Sequence, residues 1–344
     1  MPSTRRKFLW DSAMALAGAG IVPFSIRRAS AGRHAGSKRL VVIFQRGGAD
    51  GLNMVIPCGE DAYYRRRPSI AVPESSVLDL DGFFGLHPAM SPLKPLWEQR
   101  RLAAVHAVGS PAPGCHVAAQ RFVMTGKTGH ANEAWPARLL IALSRSSGTT
   151  TLAAAPGPTR PLIFSGASSC LLTNHCSADF SSGLRHLARL LLTNPRLQLA
   201  CAELGGWDLH ANQGGVRGAF ANLLSHFSRA LAAFWDDLGE LQRDTVIITL
   251  SEFGRSVREN ARGGTDHGQG GVMLILGGPV AGGRVYTRWP GLKDDRSGDA
   301  HSLPATTDFR AVLSEILSNH LGCQNVPHIF PGFGSHNSIS LKLL

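Results

Sequence analysis

Short, almost wholly apolar runs recur along the chain and alternate with longer amphipathic stretches. Because each run is apolar on both sides, the runs predict β-strands that are buried on both faces. Such strands are typical of a sheet that is covered by helices on either side. The predicted strands are Leu40–Phe44, Leu102–Val108, Leu162–Phe164, Leu197–Ala202, Thr245–Leu250 and Val272–Leu276.

Two amphipathic stretches have apolar residues at the three- and four-residue spacing of a helix. In "GAFANLLSHFSRALAAFWDDLGEL" these positions run from Phe220 to Leu238. The stretch "TTDFRAVLSEILSNHLG" opens with Thr307 or Asp308 as the expected N-cap and ends at Gly322. Alternating strands and helices predict an α/β fold with a mostly parallel central sheet and helices on both faces.

Glycine-rich segments with acidic or imidazole side chains adjoin four of the predicted strands. Three of them, "RGGADGLN", "ELGGWDLHANQGG" and "SEFGR", follow a strand, and "GGTDHGQGG" precedes the last one. Ligands of open α/β sheets bind beyond the carboxyl ends of the strands, so we expect these segments to share one edge. The candidate site residues are Asp50, Asp208, His210, Glu252, Asp266 and His267.

These side chains form a set of metal ligands. Imidazoles and carboxylates with few thiols nearby suit Zn²⁺, Mn²⁺, Mg²⁺ or Ca²⁺ better than copper or an iron–sulfur cluster. We therefore expect one or two divalent cations. Each residue alone has a simpler interpretation, since Asp50 before Gly51 fits a turn, Asp208 fits a helix N-cap, and Glu252 fits a surface ion pair. Their joint placement favours the metal site.

A second group of candidates follows the strand Leu102–Val108. There "PAPGCHVAAQRF" leads into a predicted helix that opens with Cys115 and His116 and continues through Met124. A helix N-terminus favours anions and lowers the pKa of a thiol, so Cys115 is a candidate nucleophile, with simple capping or packing as the alternative. His116 is a candidate ligand or general acid, and Gln120 is a candidate substrate contact. We expect two other histidines, His87 and His106, to be structural.

The amino terminus has the features of an export signal. Arg5 and Arg6 precede a weakly apolar stretch, and Ala29-Ser30-Ala31 is a small-residue cleavage site. We predict that residues 1–31 are a Tat signal peptide that the Tat translocase recognises, with an N-terminal anchor as the alternative. Residues 32–344 are then a single periplasmic or secreted domain without a stable membrane span.

Composition and charge narrow the function further. The chain has 344 residues, of which 43% are hydrophobic and 17% charged, as in globular proteins. Its formal net charge is +11, but the export segment carries part of that charge and the other basic residues are scattered. This distribution does not predict nucleic-acid binding. The six cysteines match no zinc motif, although Cys170 and Cys176 are close enough for a small disulfide loop.

Six motifs along the chain resemble, in order, those of a bacterial family. They are "RRKFL", "RGGADGLNMVIP", "LHPAMSPLKPLW", "GWDLHANQ", "SEFGRSVREN" and "GTDHGQGGVMLILGG". The family is Tat-exported and is known as domain of unknown function 1501. It is grouped with the alkaline phosphatase-like superfamily, which includes sulfatases, phosphatases, phosphodiesterases and phosphoglycerate mutases. The resemblance therefore implies an alkaline phosphatase-like α/β domain.

The superfamily pattern also implies roles for the candidate ligands. It has an Asp after the first strand, a Ser, Thr or modified Cys nucleophile at a helix N-terminus, and Asp or His ligands on later loops. By this resemblance Asp50 is the first-strand ligand. Asp208 with His210, and Asp266 with His267, resemble the later ligands.

Two positions depart from the family pattern. Glu252 is followed by Phe253, where the superfamily pattern has an Asp-His pair. Cys115 stands where the family commonly has Ser, and it lacks the Cys-x-Pro-x-Arg signal for formylglycine. These departures favour an alternative interpretation, in which the chain is a catalytically silent metal-containing protein that binds a ligand or assists envelope assembly.

The leading interpretation is an exported metal-dependent enzyme that hydrolyses or transfers a small or polymer-linked phosphate or sulfate ester. Arg255 and Arg46 are expected to hold the non-bridging oxygens of the ester. Asn53 and Gln120 are further expected substrate contacts, and His116 is the expected acid for the leaving group. A metal-independent serine or thiol hydrolase is disfavoured, because the chain has no Gly-x-Ser-x-Gly elbow.

Overall fold

The strands and helices of this protein largely follow the apolar runs of its sequence. The structure is a computed structural model that describes residues 37–111, 115–127, 133–148, 152–156, 171–174, 179–292, 302–334 and 341–344. The predicted signal peptide, the predicted strand Leu162–Phe164 and the cysteines Cys170 and Cys176 lie outside these residues. Among the helices that the structure describes, none has the length and apolar character needed to cross a membrane.

The strands, in chain order, are β1 (Arg39–Gln45), β2 (Val55–Ile56), β3 (Leu78–Asp79), β4 (Gly85–Leu86), β5 (Leu102–Gly109), β6 (Leu152–Pro156), β7 (Leu171–Asn174), β8 (Leu197–Leu204), β9 (Thr245–Leu250), β10 (Arg255–Glu259), β11 (Thr265–His267), β12 (Gly271–Gly277), β13 (Val285–Tyr286) and β14 (Thr307–Asp308). The α-helices, in chain order, are α1 (Gly51–Met54), α2 (Asp61–Arg66), α3 (Lys94–Glu98), α4 (His116–Thr125), α5 (Trp135–Ser147), α6 (Phe180–Thr193), α7 (Ala219–Asp237), α8 (Phe309–Asn319) and α9 (Val326–Ile329).

The main sheet has the strand order β13-β5-β12-β9-β1-β8-β6-β7, and β14 also pairs with β5. Within the described part of this sheet, only β12 runs antiparallel to its neighbours, β5 and β9. The predicted α/β fold with a mostly parallel sheet is confirmed. This topology brings the carboxyl ends of β1, β5, β8 and β9 to one edge, together with the amino end of β12.

Helices cover both faces of the sheet, as the doubly apolar strands predict. Along β1, Leu40, Val42 and Phe44 pack into a core that contains residues of α4, α5 and α8. The alternate residues Val41 and Ile43 pack into a second core with residues of α6 and α7. The strand is buried along its whole length, because successive side chains enter opposite cores.

The helix boundaries agree closely with the sequence signals. The Asp308 side chain accepts a hydrogen bond from the backbone N–H of Arg310 at 2.8 Å, which identifies Asp308 as the N-cap of α8. That helix ends at Asn319, before the predicted Gly322. At its end His320 Nε2 lies 2.9 Å from the backbone oxygen of Arg39, which ties the helix to β1.

The β10–β11 hairpin is an element that the hydrophobic pattern does not predict. It lies outside the main sheet, pairs antiparallel, and connects β9 to β12. Arg255 begins the first strand and pairs with His267, which ends the second strand directly after Asp266. Polar residues in such short strands give no clear alternation, so the sequence shows only a glycine-rich loop here.

Candidate metal centre

The candidate site lies at the edge of the sheet where the parallel strands end. A close approach between two loops builds it, because Gly47 after β1 packs against the loop that follows β8. Gly47 has a φ of +126°, and a Cβ at this position would lie 2.7 Å from the backbone nitrogen of Asp208. Only glycine allows both that backbone conformation and that contact.

Asp208 is the centre of a group of imidazoles. Its Oδ1 lies 3.0 Å from His210 Nε2 and 3.6 Å from His267 Nε2, and its Oδ2 lies 3.3 Å from His116 Nε2. Donor atoms of His116, Asp208 and His267 all lie within 4.8 Å of one another. The Nε2 atoms of His210 and His267 are 3.2 Å apart. We call these four residues the Asp208 group.

Two carboxylates orient imidazoles of this group by contacting the ring nitrogen that faces away from Asp208. His116 Nδ1 lies 2.9 Å from Glu252 Oε1, and His210 Nδ1 lies 3.2 Å from Asp266 Oδ1. A proton on each Nδ1 satisfies the carboxylate and leaves the lone pair of Nε2 directed towards Asp208. His116 Nε2 is buried and forms no hydrogen bond with any described residue. An imidazole held in this way is typical of a metal ligand.

Glu252 is itself held firmly in place. It is buried, and it accepts hydrogen bonds from Gln120 Nε2 at 2.9 Å and from the backbone N–H of Gly47 at 3.0 Å. Burial raises the pKa of this carboxyl, but the hydrogen bonds, including those from Gln120, His116 and Gly47, outweigh burial and lower the pKa below its usual value. Glu252 therefore stays ionised beside His116.

Arg255 supports the group from below. Its side chain is fully buried and donates to the backbone oxygens of Gly47, Gly48 and Thr265 as well as to Asp208 Oδ1, at 2.6 Å. Partial burial raises the pKa of Asp208, but the hydrogen bond and the charge of Arg255 outweigh that effect and lower it. Asp208 is therefore an anion that is already partly neutralised.

Phe253 contributes a wall to the same group. Its ring centroid lies 4.8 Å from that of His116 and 4.5 Å from that of His267. The sequence shows this residue as a departure from the Asp-His pair of the superfamily. In the structure it packs against two of the imidazoles and restricts their orientation.

Asp50 and Asn53 lie in a different environment from the Asp208 group. Asp50 is only 2% exposed, and its Oδ2 accepts hydrogen bonds from Arg67 Nη1 and Gln213 Nε2, each at 2.7 Å. Asn53 is also buried, and its Oδ1 accepts from Arg67 and from Tyr63. The contacts of both side chains are thus with a buried network rather than with the Asp208 group.

The remaining candidates lie at the rim. Arg46 is exposed and forms an ion pair with Glu203. Cys115 is exposed at the N-cap of α4, and its side chain makes no capping hydrogen bond within the described residues. Gln120 donates to Glu252 and so supports His116 from behind.

Two supporting residues gave no signal in the sequence. Arg67 occurs within a run of three arginines, and a run of charges is usually a solvated surface. Asn260 donates to Asp266 Oδ1 and to the backbone oxygen of His210, both at 3.0 Å, so it fixes the second carboxylate–histidine pair. The hydrogen bond from Asn260 is the largest influence that lowers the pKa of Asp266.

Solved structures that are similar to this one include those of three bacterial proteins. The C-terminal periplasmic domain of EptC from Escherichia coli is 11% identical, with 87% of this chain and 88% of that chain covered and a TM-score of 0.47. The lipoteichoic acid synthase LtaP from Listeria monocytogenes is 10% identical, with coverages of 89% and 75% and a TM-score of 0.42. The soluble domain of lipooligosaccharide phosphoethanolamine transferase A from Neisseria meningitidis is 10% identical, with coverages of 74% and 85% and a TM-score of 0.41.

No curated protein matches the sequence. One family model, described as "Protein of unknown function (DUF1501)", matches residues 167–313. The matched model is that of the family which the motifs resemble, domain of unknown function 1501, and it covers less than half of the chain.

Proposed function

We propose that this protein binds a divalent cation through the Asp208 group and cleaves or transfers a phosphate or sulfate ester there. One observation carries the proposal. Two carboxylate–histidine pairs, Glu252–His116 and Asp266–His210, direct their Nε2 atoms towards the carboxylate of Asp208. Imidazoles supported in this way, around an anion and at the ligand-binding edge of an α/β sheet, are typical of a catalytic metal site.

The donor atoms narrow the choice of cation. Three imidazole nitrogens and one carboxylate favour Zn²⁺ or Mn²⁺ over Mg²⁺ and Ca²⁺, which prefer oxygen ligands. His116, His210, His267 and Asp208 would hold the ion. When bound, the ion would stabilise charge on the ester oxygens and lower the pKa of a bound water or nucleophile.

Other residues of the chain have supporting roles. Glu252, which was expected to be a ligand, orients His116, and Asp266 likewise orients His210. Arg255 holds Asp208 in place, and its hydrogen bonds to the protein replace the substrate contact that the sequence suggested. Arg46 is exposed and is therefore the better contact for an anionic ester.

Two further parts of the proposal concern the nucleophile and the location of the protein. Cys115 is exposed at the N-cap of α4, directly before His116 in the chain, so it remains the candidate nucleophile. The Arg5–Arg6 pair and the cleavage site at Ala31 support export by the Tat translocase to the periplasm or the exterior.

A second candidate function is metal binding without catalysis. Arg255 already donates to Asp208 Oδ1 at 2.6 Å, and its positive charge competes with a cation for that oxygen. A site with one ligand so neutralised favours a structural or ligand-binding ion. Both candidate functions require bound metal, but only the ester-cleaving function includes turnover of a substrate.

The experiment compares His116→Gln with a matched control, His226→Gln. His226 is also a histidine near a carboxylate, with Nε2 3.9 Å from Asp179 Oδ1, but it lies on α7 away from the Asp208 group. Bound metal is measured by mass spectrometry in the purified mature chain. Aryl phosphate, phosphodiester and aryl sulfate substrates are assayed with and without a chelator.

We expect His116→Gln to lose both bound metal and activity, because the substitution removes one imidazole ligand together with its contact to Glu252. We expect His226→Gln to keep both. Metal without turnover on any of the three substrate classes would favour the second candidate. Absence of bound metal, with no activity after adding Zn²⁺ or Mn²⁺, would contradict both.

A further inference from the structure

A buried hydrogen-bond network built around Asp50 connects the end of β1 to both strands of the β10–β11 hairpin. Its common acceptor is one atom, Asp50 Oδ2, which binds Arg67 Nη1 and Gln213 Nε2 at 2.7 Å each. Arg67 and Gln213 are fully buried, as is nearly all of Asp50. An unpaired polar group in such a buried network costs free energy, so the hydrogen bonds hold these side chains in one arrangement.

Arg67 holds the first strand of the hairpin. Its Nη2 donates to the backbone oxygen of Ser256 at 2.6 Å, and its Nε donates to that of Val257 at 2.9 Å. These two residues directly follow Arg255, whose guanidinium contacts Asp208. The position of Arg255 therefore depends on the position of Arg67.

Gln213 holds the second strand. Its Oε1 accepts a hydrogen bond from Thr265 Oγ1 at 2.8 Å, and its backbone N–H donates to the oxygen of Gly263 at 2.8 Å. Thr265 directly precedes Asp266 and His267 in β11. Gln213 thus fixes the strand that carries one imidazole of the Asp208 group and the carboxylate behind another.

We infer that Asp50 is a positioning residue for the metal centre and is not one of its ligands. The inference rests on the proposed function, since it assigns the way in which the ligands of that site are held. Through Arg67 and Gln213, Asp50 places both strands of the hairpin, so that His267 and the Asp266–His210 pair meet Asp208. This role differs from the first-strand ligand that the family resemblance implies.

The surroundings of Asp50 agree with this role. The charge of Asp50 acts on His87 and His106, two buried histidines of the core. Both hydrogen bonds of Asp50 Oδ2 come from Arg67 and Gln213, and neither of these residues belongs to the Asp208 group. Its Oδ1 is buried without a hydrogen-bond partner there, so the test must separate a ligand from a positioning residue.

A double-mutant cycle on Zn²⁺ affinity makes that separation. Asp50→Asn, Arg67→Met and the double variant are titrated with Zn²⁺ against a competing chelator. A positioning role predicts that each single change weakens affinity by about 10–100-fold. The double variant should be no weaker than the weaker single variant, because both changes break the same network.

A direct ligand predicts a different result. Asp50→Asn would then weaken Zn²⁺ binding by the same factor in the Arg67→Met background as in the wild type. The two losses would multiply, and that result would overturn the inference.

Hydrogen exchange of the metal-free protein supplies a readout that does not depend on metal. The backbone N–H groups of Asn260, Thr265 and Gly268 donate to the oxygens of Gly264, Leu209 and Gly254. In Asp50→Asn and Arg67→Met we expect these amides to exchange about tenfold faster or more, relative to the amides of β1. Gln213→Met gives the same measurement if either variant does not fold.

Glu315→Gln is the matched control. Glu315 is another buried carboxylate that holds backbone, since it accepts from the N–H groups of Leu341 and Leu343 far from the Asp208 group. This variant should lose stability without a change in Zn²⁺ affinity or in hairpin exchange. An equal effect of Glu315→Gln on the hairpin would show that the response is general destabilisation, and would also overturn the inference.

The two claims can fail separately. If the wild type binds no divalent ion but hairpin exchange responds as expected, the proposed function fails and the positioning role of Asp50 stands. If the wild type binds Zn²⁺ but hairpin exchange stays unchanged in folded Asp50→Asn and Arg67→Met, the positioning role fails alone.

Discussion

Two aspartate–arginine pairs lie near the same edge of the sheet, and they differ in exposure and in role. Arg67 contacts Asp50 at 2.7 Å, and Arg255 contacts Asp208 at 2.6 Å. Both arginines are fully buried, but the Asp50 side chain is 2% exposed whereas that of Asp208 is 45% exposed. The first pair is enclosed within a network that holds backbone. The second presents a carboxylate to three imidazoles and to solvent.

The histidines around the two pairs show the same contrast. His87 and His106, near Asp50, have both ring nitrogens hydrogen-bonded to the backbone, as expected for structural histidines. His116 and His210, near Asp208, have one nitrogen on a carboxylate and the other directed towards Asp208. The partners of the ring nitrogens therefore distinguish a structural histidine from a candidate ligand better than burial does.

The largest expected effect is a contrast between two variants: Asp50→Asn should mainly lower stability, and Asp208→Asn should mainly lower metal affinity. Neutralising Asp50 leaves the Arg67 charge buried without its partner, so we expect a loss of about 3–5 kcal/mol in the free energy of unfolding. Arg255 is also buried, but Asp208 is 45% exposed and solvent screens part of this pair, so its neutralisation should cost less, about 1–2 kcal/mol. Metal affinity should follow the opposite order, with a loss for Asp208→Asn that exceeds the roughly 10–100-fold of an indirect partner.

Urea unfolding and metal titration of both variants check this order, with Asp179→Asn as the control. Asp179 is an exposed carboxylate that caps α6 and accepts from the N–H of Ser182 at 2.9 Å. Because Asn caps a helix about as well as Asp, Asp179→Asn should change stability by no more than about 0.5 kcal/mol and leave metal binding unchanged. The contrast between the two pairs would be wrong if Asp208→Asn cost as much stability as Asp50→Asn.

The fold was accessible from the sequence because its strands are apolar on both faces. Thr245–Leu250 matches β9 in full, and Leu40–Phe44 lies within β1. The β10–β11 hairpin was not accessible, because its position depends on contacts with Arg67 and Gln213 that are distant in sequence. Short polar strands carry too little periodicity to predict alone.

For the site, the sequence indicated the right edge of the sheet but could not assign roles there. The segments around Asp208 and Glu252 converge, as the ends of parallel strands predict, and His267 joins them because the strand that it precedes, β12, runs antiparallel. Which carboxylate faces a cation and which supports an imidazole depends on side-chain direction at a few ångströms. Asp50 illustrates this, since its glycine-rich context suggested a ligand while its hydrogen bonds place it in the buried network.

A smaller effect concerns acid and the buried histidines. Burial lowers the pKa of His106 from 6.5 to about 4, and its bond to the backbone oxygen of Val55 only partly offsets this. Between those values the unfolded chain binds a proton at this position and the folded chain does not. Stability is therefore complete above pH 6.5 and falls as the pH drops towards 4, by up to about 3 kcal/mol.

Urea midpoints measured from pH 7 to pH 4 check this dependence. His106→Gln should be less stable at pH 7 but should lose about 3 kcal/mol less on acidification than the wild type. His226→Gln removes an exposed histidine and should keep the wild-type slope. An unchanged slope in His106→Gln would show that the acid response comes from other groups, such as His87 and His320, whose pKa values burial also lowers.

The smallest expected effect on stability is that of Arg46→Gln, and this variant also tests whether Arg46 contacts the substrate. It follows β1 and pairs with Glu203 in solvent, whereas Lys38 precedes β1 and pairs with Asp244 at 2.8 Å, also in solvent. Loss of either surface pair should cost about 0–1 kcal/mol, so Lys38→Gln is a matched control for Arg46→Gln. If Arg46 binds the anionic ester, Arg46→Gln should raise KM several-fold with kcat nearly unchanged, and Lys38→Gln should change neither. A KM for Arg46→Gln that equals those of Lys38→Gln and the wild type would show that Arg46 does not contact the substrate.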